Sequence, residues 1–170
     1  MSYPTNVPVL LASTTLASAA ASITFSSIPS TYRSLRLIFS GATTAAITWS
    51  NVGIRFNGDS GSNYYHQLTS TVFASSTTGA WAGASTGGGG VNASFSGNDI
   101  VVYDYASTNR RKLMVGLGVT DTSTTSTPSA GAGFYYNLWT GNAAITSITF
   151  LDFTGNNLAT GTMASVYGFL

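Results

Sequence analysis

Side chains able to do covalent or proton-transfer chemistry are scarce in this 170-residue chain: one histidine (His66), five aspartates, no glutamate and no cysteine. A nucleophilic hydrolase would need His66 as base, one aspartate to orient it and a serine held against the imidazole. His66 lies in Tyr64-Tyr65-His66-Gln67-Leu68, which reads as a strand, and a histidine beside strand tyrosines is ordinarily a packed or surface residue. Gly83-Ala84-Ser85-Thr86-Gly87 matches the Gly-x-Ser-x-Gly nucleophile pattern in its letters. That pattern has meaning only where a strand turns sharply into a helix, and its flanks here are alanine, serine and a glycine run. A glycosidase-like pair needs two carboxylates held across a cleft; the aspartates at 59, 99, 104, 121 and 152 are scattered and give that reading no support. No phosphate-cradling glycine loop or dinucleotide fingerprint is present. The expectation is a protein that is not an enzyme and uses no cofactor.

Two short segments have spacing that could bind something. Asp59-Ser60-Gly61-Ser62-Asn63 places oxygen-bearing side chains at alternate positions, as calcium loops do, but it lacks their distal glutamate and is equally plain turn sequence. No metal is expected. Arg110-Arg111-Lys112 holds half of the six basic residues in three consecutive positions between two strong strand patterns. It reads as a solvated hairpin tip, with docking onto an acidic partner as its second role, acting through orientation and on-rate. Trp81 sits inside the small-residue stretch from Ser75 to Gly90. It either folds back onto its own domain or anchors on a neighbour, since tryptophan is enriched at interface hot spots. Arg110, Arg111, Lys112 and Trp81 are therefore the candidate partner-contacting residues.

Charge bounds the partner class. Charged residues make up 6% of the chain, against about 25% in an ordinary soluble domain. The net charge of +1 does not suit nucleic acid, which calls for several clustered cations. No run approaches the roughly 18 apolar residues of a membrane span, and the N-terminus has no basic segment of the kind that opens a secretory signal. The expectation is a chain made in the cytoplasm, binding neither nucleic acid nor membrane. A free monomer ordinarily guards its sheet edges with lysine and its surface with charge. This chain has one lysine, so part of its surface is expected to be covered by other subunits.

The elements that must position these residues read as strands. Leu35-Arg36-Leu37-Ile38-Phe39 and Val52-Gly53-Ile54-Arg55-Phe56 alternate, with Arg55 facing out. Leu113, Val115, Leu117 and Val119 form a further period-2 set with Met114, Gly116 and Gly118 between them, and read as a half-buried strand. Ile100-Val101-Val102-Tyr103 is apolar on both faces and reads as a strand buried between layers. Adjacent strand residues point to opposite faces, so only one of Tyr135 and Tyr136 belongs to the core. The other faces water, a sugar or a neighbouring subunit. Short strands with Asn-Gly turns predict an all-β fold, an antiparallel jelly-roll-like β-sandwich. It is expected to be one domain over 1–170, with an N-terminal extension over about 1–20 and flexible loops over about 75–90 and 120–133.

Several segments taken together resemble a loosely defined group of small β-rich virion structural proteins of tailed bacteriophages. They are SITFSSIPSTYRSLRLIFSGA (22–42), GIRFNGDSGSNYYHQL (53–68), DIVVYDYASTNRRKLMVGLG (99–118), AITSITF (144–150) and SVYGF (165–169). The RFNGD-x-x-x-NY stretch, Arg55 to Tyr64, is the most specific of them. Residues 70–98 depart into glycine-rich sequence, and nothing is carried over there. The resemblance implies a non-enzymatic component of a capsid or tail, often in symmetric oligomers, with no catalytic residues. The leading expectation is a capsid decoration (cement) protein, a homotrimer bound to the major capsid protein or another virion protein on the head exterior. The alternative is a tail or head fibre module that binds host surface glycans.

Overall fold

Period-2 apolar spacing becomes strand almost wherever it occurs. The computed structural model describes residues 7–68, 75–87, 94–123 and 129–170. Its strands are β1 (Val9–Thr15), β2 (Ser22–Phe25), β3 (Ser34–Gly41), β4 (Trp49–Phe56), β5 (Tyr64–Leu68), β6 (Ser75–Thr77), β7 (Ala80–Thr86), β8 (Ser96–Tyr103), β9 (Lys112–Asp121), β10 (Ala130–Trp139), β11 (Ile148–Asp152) and β12 (Met163–Phe169). They form an eight-stranded sheet in the order β1-β12-β3-β8-β9-β10-β5-β6 and a four-stranded sheet in the order β2-β11-β4-β7. Every strand pairing is antiparallel. The protein is thus an all-β antiparallel sandwich. Its nested pairing of β1 with β12, β2 with β11 and β5 with β10 is shared with a jelly roll. The division of strands is not, because a jelly roll holds about eight strands in all.

The core lies between the sheets. Leu35, Leu37 and Phe39 of β3 and Ile100 and Val102 of β8 face Ile54 and Phe56 of β4 and Ile148 and Phe150 of β11, all fully buried. The Phe39 and Phe150 rings stack with centroids 5.8 Å apart. Each such side chain contributes roughly 1.5–3 kcal/mol on burial, which suffices for a core without disulfides.

The Asn57-Gly58 step works differently from the hairpin its letters suggest. Both residues have positive φ (53° and 70°), and Asp59 N–H donates to the Phe56 carbonyl at 2.9 Å, as in a type I′ turn. The turn carries the chain from β4 in one sheet to β5 in the other. Asn57 Oδ1 also accepts from the N–H groups of Thr146 and Ser147, at 2.8 and 3.1 Å, tying the turn to the approach to β11.

Three readings of the sequence are corrected. The stretch read as an N-terminal extension contains β1, an edge strand paired with β12 from Val9↔Gly168 to Thr15↔Met163; residues 1–6 lie outside the described residues. The stretch from 75 to 90 read as a flexible loop contains β6 and β7, because its backbone completes ladders with β5 and β4 whatever its side chains are; residues 88–90 lie outside the described residues. The 120–133 loop shrinks at both ends, since β9 runs to Asp121 and β10 starts at Ala130; residues 124–128 lie outside the described residues.

The facing of β9 runs against its hydrophobicity. Its inward residues are Lys112, Met114, Gly116, Gly118 and Thr120, and the apolar row at 113, 115, 117 and 119 faces out. The glycines explain the register. A Cβ on Gly116 would lie 2.1 Å from the Tyr135 ring, and one on Gly118 would lie 2.3 Å from Asn98 Oδ1. The neighbouring strands' large side chains occupy the space that β9 leaves empty. Gly116→Val is expected to destabilise the domain by about 3 kcal/mol or more, since overpacking here meets a buried ring backed by backbone. Chemical denaturation measures this, and an unchanged midpoint would contradict the register.

Candidate interaction face

The outward row of β9 creates an apolar surface on the eight-stranded sheet. Leu113, Val115, Leu117 and Val119 are 58%, 37%, 42% and 50% exposed. The ladder sets Leu117 opposite Phe134 and Val115 opposite Tyr136 on β10, and these two rings are likewise about half exposed. On the other flank Val115 pairs with Val101 and Leu117 with Asp99 of β8. Tyr103 extends the face at the end of β8 and is exposed. So β8 is apolar on both sides for two reasons. Ile100 and Val102 enter the core, while Val101 and Tyr103 belong to this outer face. Tyr135 and Tyr136 divide as strand geometry requires, with Tyr135 buried and Tyr136 exposed.

Two of the charges beside the face neutralise each other. Arg36 Nε donates to Asp99 Oδ1 at 2.8 Å and to Oδ2 at 3.0 Å, and Arg36 Nη2 also donates to Oδ2. The hydrogen bond to Asp99 leads the causes that push the Arg36 pKa above its ordinary value. A bidentate pair of this kind is geometrically specific and cancels the charge on this flank; at the end of the outward row Asp121 accepts from Ser94 Oγ and Ser123 N–H instead.

The candidate partner-contacting residues separate. Arg110 and Arg111 are exposed on the β8–β9 connection. Arg110 Nη1 lies 3.3 Å from Asp104 Oδ2, and Arg111 has no hydrogen-bond or ion-pair partner among the described residues. Lys112 does not join them. It is fully buried, and its Nζ donates to the carbonyls of Ser107 (2.9 Å), Arg110 and Asn142 (3.2 Å). Burial pulls its pKa below the usual lysine value, partly offset by the charge of Asp104. The register that turns Leu113 outward turns Lys112 inward, so a contact with a partner through Lys112 is excluded. Trp81 folds back onto its own domain. It is partly buried, its Nε1 donates to Asn51 Oδ1 at 3.1 Å, and its ring packs edge-on against Tyr135 at 5.3 Å.

The other chemistry-bearing segments have structural jobs. Ser85 is fully buried in β7, where its Oγ donates to the Gly41 carbonyl at 3.0 Å; no strand-to-helix turn is there. The Asp59 carboxylate accepts from Trp139 Nε1 at 2.7 Å, Gly61 N–H at 2.9 Å and Asn63 Nδ2 at 3.0 Å. Burial pushes its carboxyl upward, but the three donors outweigh that and hold it below the usual aspartate value. Tyr64 OH accepts from Phe56 N–H and donates to the Asp59 carbonyl. The specific RFNGD-x-x-x-NY stretch is therefore a clasp that fixes the crossing between sheets. Among the described residues no group of three or more His, Cys, Asp or Glu could hold a metal ion, and no helix is long and apolar enough to cross a membrane.

The period-2 pattern of β9 gives two rows without saying which of them enters the core, so it did not reveal the outer face. The signal that could have found it is the glycine pair 116 and 118 beside tyrosine-rich β10. In comparisons with known proteins, no family model, no curated protein and no solved structure matches the chain.

Proposed function

We propose that this chain is a structural protein of a tailed-bacteriophage virion, a capsid decoration (cement) protein that assembles as a homotrimer and binds the head exterior. The observation that carries the reading is the half-exposed apolar row Leu113, Val115, Leu117 and Val119, flanked by Phe134 and Tyr136. Contiguous exposed apolar surface on this scale marks a protein-contact site. A second copy suits it, because the face is largely uncharged: Asp99 is paired with Arg36, and Asp121 at the end of the row is held by Ser94 and Ser123. Closed symmetric association of like chains is also the common outcome for soluble oligomers. The segments resembling phage virion proteins support the same class.

Docking to the capsid shell falls to the exposed Arg110 and Arg111. Rim charges of this kind act mainly on association rate and salt dependence. The Arg110→Ser, Arg111→Ser double variant, with Lys112 kept, is expected to fold normally. It should load onto particles about tenfold more slowly at low salt. Equal loading of both proteins at every salt concentration would remove the arginines from the docking contact. The placement itself is tested by electron microscopy of labelled particles and by heating particles that lack the protein. Label over the whole head, with earlier bursting of the depleted particles, is the expected result. Label confined to the tail, or unchanged heat resistance, would overturn the cement reading.

A further inference from the structure

A second surface has a different chemistry. Where β9 and β10 overhang the four-stranded sheet, the inner face carries Gly118, Gly131 and Gly133, and little side chain fills the gap between the sheets. The result is a cavity of about 930 Å³, within the usual range for small-molecule sites. A Cβ on Gly133 would meet nothing within 4 Å. Aromatic side chains of Trp49, Trp81, Tyr135 and Phe153 contribute to its walls, with Asn51 and threonines between them, and among the described residues no Asp, Glu, Lys or Arg lines it. Trp49 is 46% exposed, so one indole remains reachable from outside. Trp81 is held in place by its bond to Asn51.

The walls also carry polar groups. Thr77, Thr78, Thr120 and Thr122 and the Asn51 amide stand among the aromatic rings. A hydroxyl or amide oxygen with one hydrogen bond made keeps a second lone pair to accept another. Asn98 does not line the cavity: its amide is buried against Gly83 and Gly118, where a Cβ would stand 2.0 or 2.3 Å from its Oδ1.

We propose that the cavity binds a neutral saccharide unit. A charged ligand finds no counter-charge there. A purely apolar ligand makes no bond to the threonine hydroxyls and the Asn51 amide of the walls. A sugar ring answers both conditions, because its C–H face stacks on an indole while its hydroxyls both donate and accept. The site shares only Val119 with the outer apolar row and does not depend on the virion reading.

The test uses the full-length chain and the methyl glycosides of glucose, galactose, mannose and N-acetylglucosamine, observed by saturation-transfer NMR and tryptophan fluorescence. At least one glycoside is expected to bind saturably and quench the fluorescence. Trp49→Ala should weaken that binding at least tenfold, and Gly133→Leu should abolish it by filling the space, with the unfolding midpoint unchanged or raised. Should none of the glycosides bind up to its solubility limit, the proposal fails. It fails equally if Gly133→Leu folds and binds as well as the unaltered chain, or if only an apolar probe such as toluene enters.

Discussion

The Val115→Lys, Leu117→Lys double variant is expected to run as a 17.5 kDa monomer, while the unaltered chain runs as a trimer of about threefold that mass. Both side chains point away from the core and are 37% and 42% exposed, so the isolated domain loses little. Exposed positions of this kind usually change stability by no more than about 0.5 kcal/mol. Within a packed interface the consequence is far larger. Two ammonium groups would have to leave water for largely apolar surroundings, where the acid opposite position 117, Asp99, is already taken by Arg36, at a cost of several kcal/mol each. Each 1.4 kcal/mol is tenfold in association, so the complex should vanish over the working concentration range. Sedimentation and light scattering read the mass, and thermal unfolding of the variant at low concentration confirms the fold. An unaltered chain that stays monomeric at high concentration would remove the homotrimer and the role given to the outer face. A double variant that still forms trimers would move the contact elsewhere, for instance to the uncharged edge strand β2 (Ser22–Phe25), where backbone pairing between chains needs no side-chain match.

Legibility in the sequence followed a physical line. β3 was readable because Leu35, Leu37 and Phe39 recur at period 2 around Arg36, and all three enter the core. The paired tyrosines were readable because strand geometry alone forbids burying both. β9 was not readable, because hydrophobicity ranks Leu113 and Leu117 above Gly116 and Gly118. What decides the facing is the volume contributed by other strands, the Tyr135 ring and the Asn98 amide. β6 and β7 were hidden for a related reason. Serine, alanine and glycine suggest a linker, yet their ladders with β5 and β4 need only backbone, and some of the small residues serve a neighbour. A Cβ on Gly79 would lie 2.7 Å from the Phe153 ring. The outer face followed from the β9 register and was hidden with it. The cavity needed the relative placement of six strands, which no local pattern encodes.

Lys112→Met should lower the thermal midpoint by about 10 °C, on the scale of about 2–4 °C per kcal/mol for a chain of this length. A lysine ammonium carries three N–H donors and no acceptor, and here the Ser107, Arg110 and Asn142 carbonyls take them. Removing it takes the donor from three partly buried carbonyls, at about 1–3 kcal/mol for each that water does not reach. Methionine fills most of the volume, so the loss reports on the hydrogen bonds and not on a void. Lys112→Arg should not restore stability, because a planar guanidinium presents its donors in a fixed fork and three carbonyls spread around one point do not match it. A pH titration separates this from a role in partner contact. Burial sets the folded-state pKa of Lys112 below its ordinary 10.5, so the unfolded chain binds more protons between those two values. Through that window the stability contributed by Lys112 rises as pH rises. The buried Tyr64 and Tyr135, whose pKa values are pushed up by burial, act in the opposite direction in both proteins and cancel in the difference. The stability gap between the unaltered chain and Lys112→Met should therefore widen toward pH 10.5. A methionine variant with an unchanged midpoint and weakened particle binding would return Lys112 to the surface and undo the β9 register, and with it the apolar face.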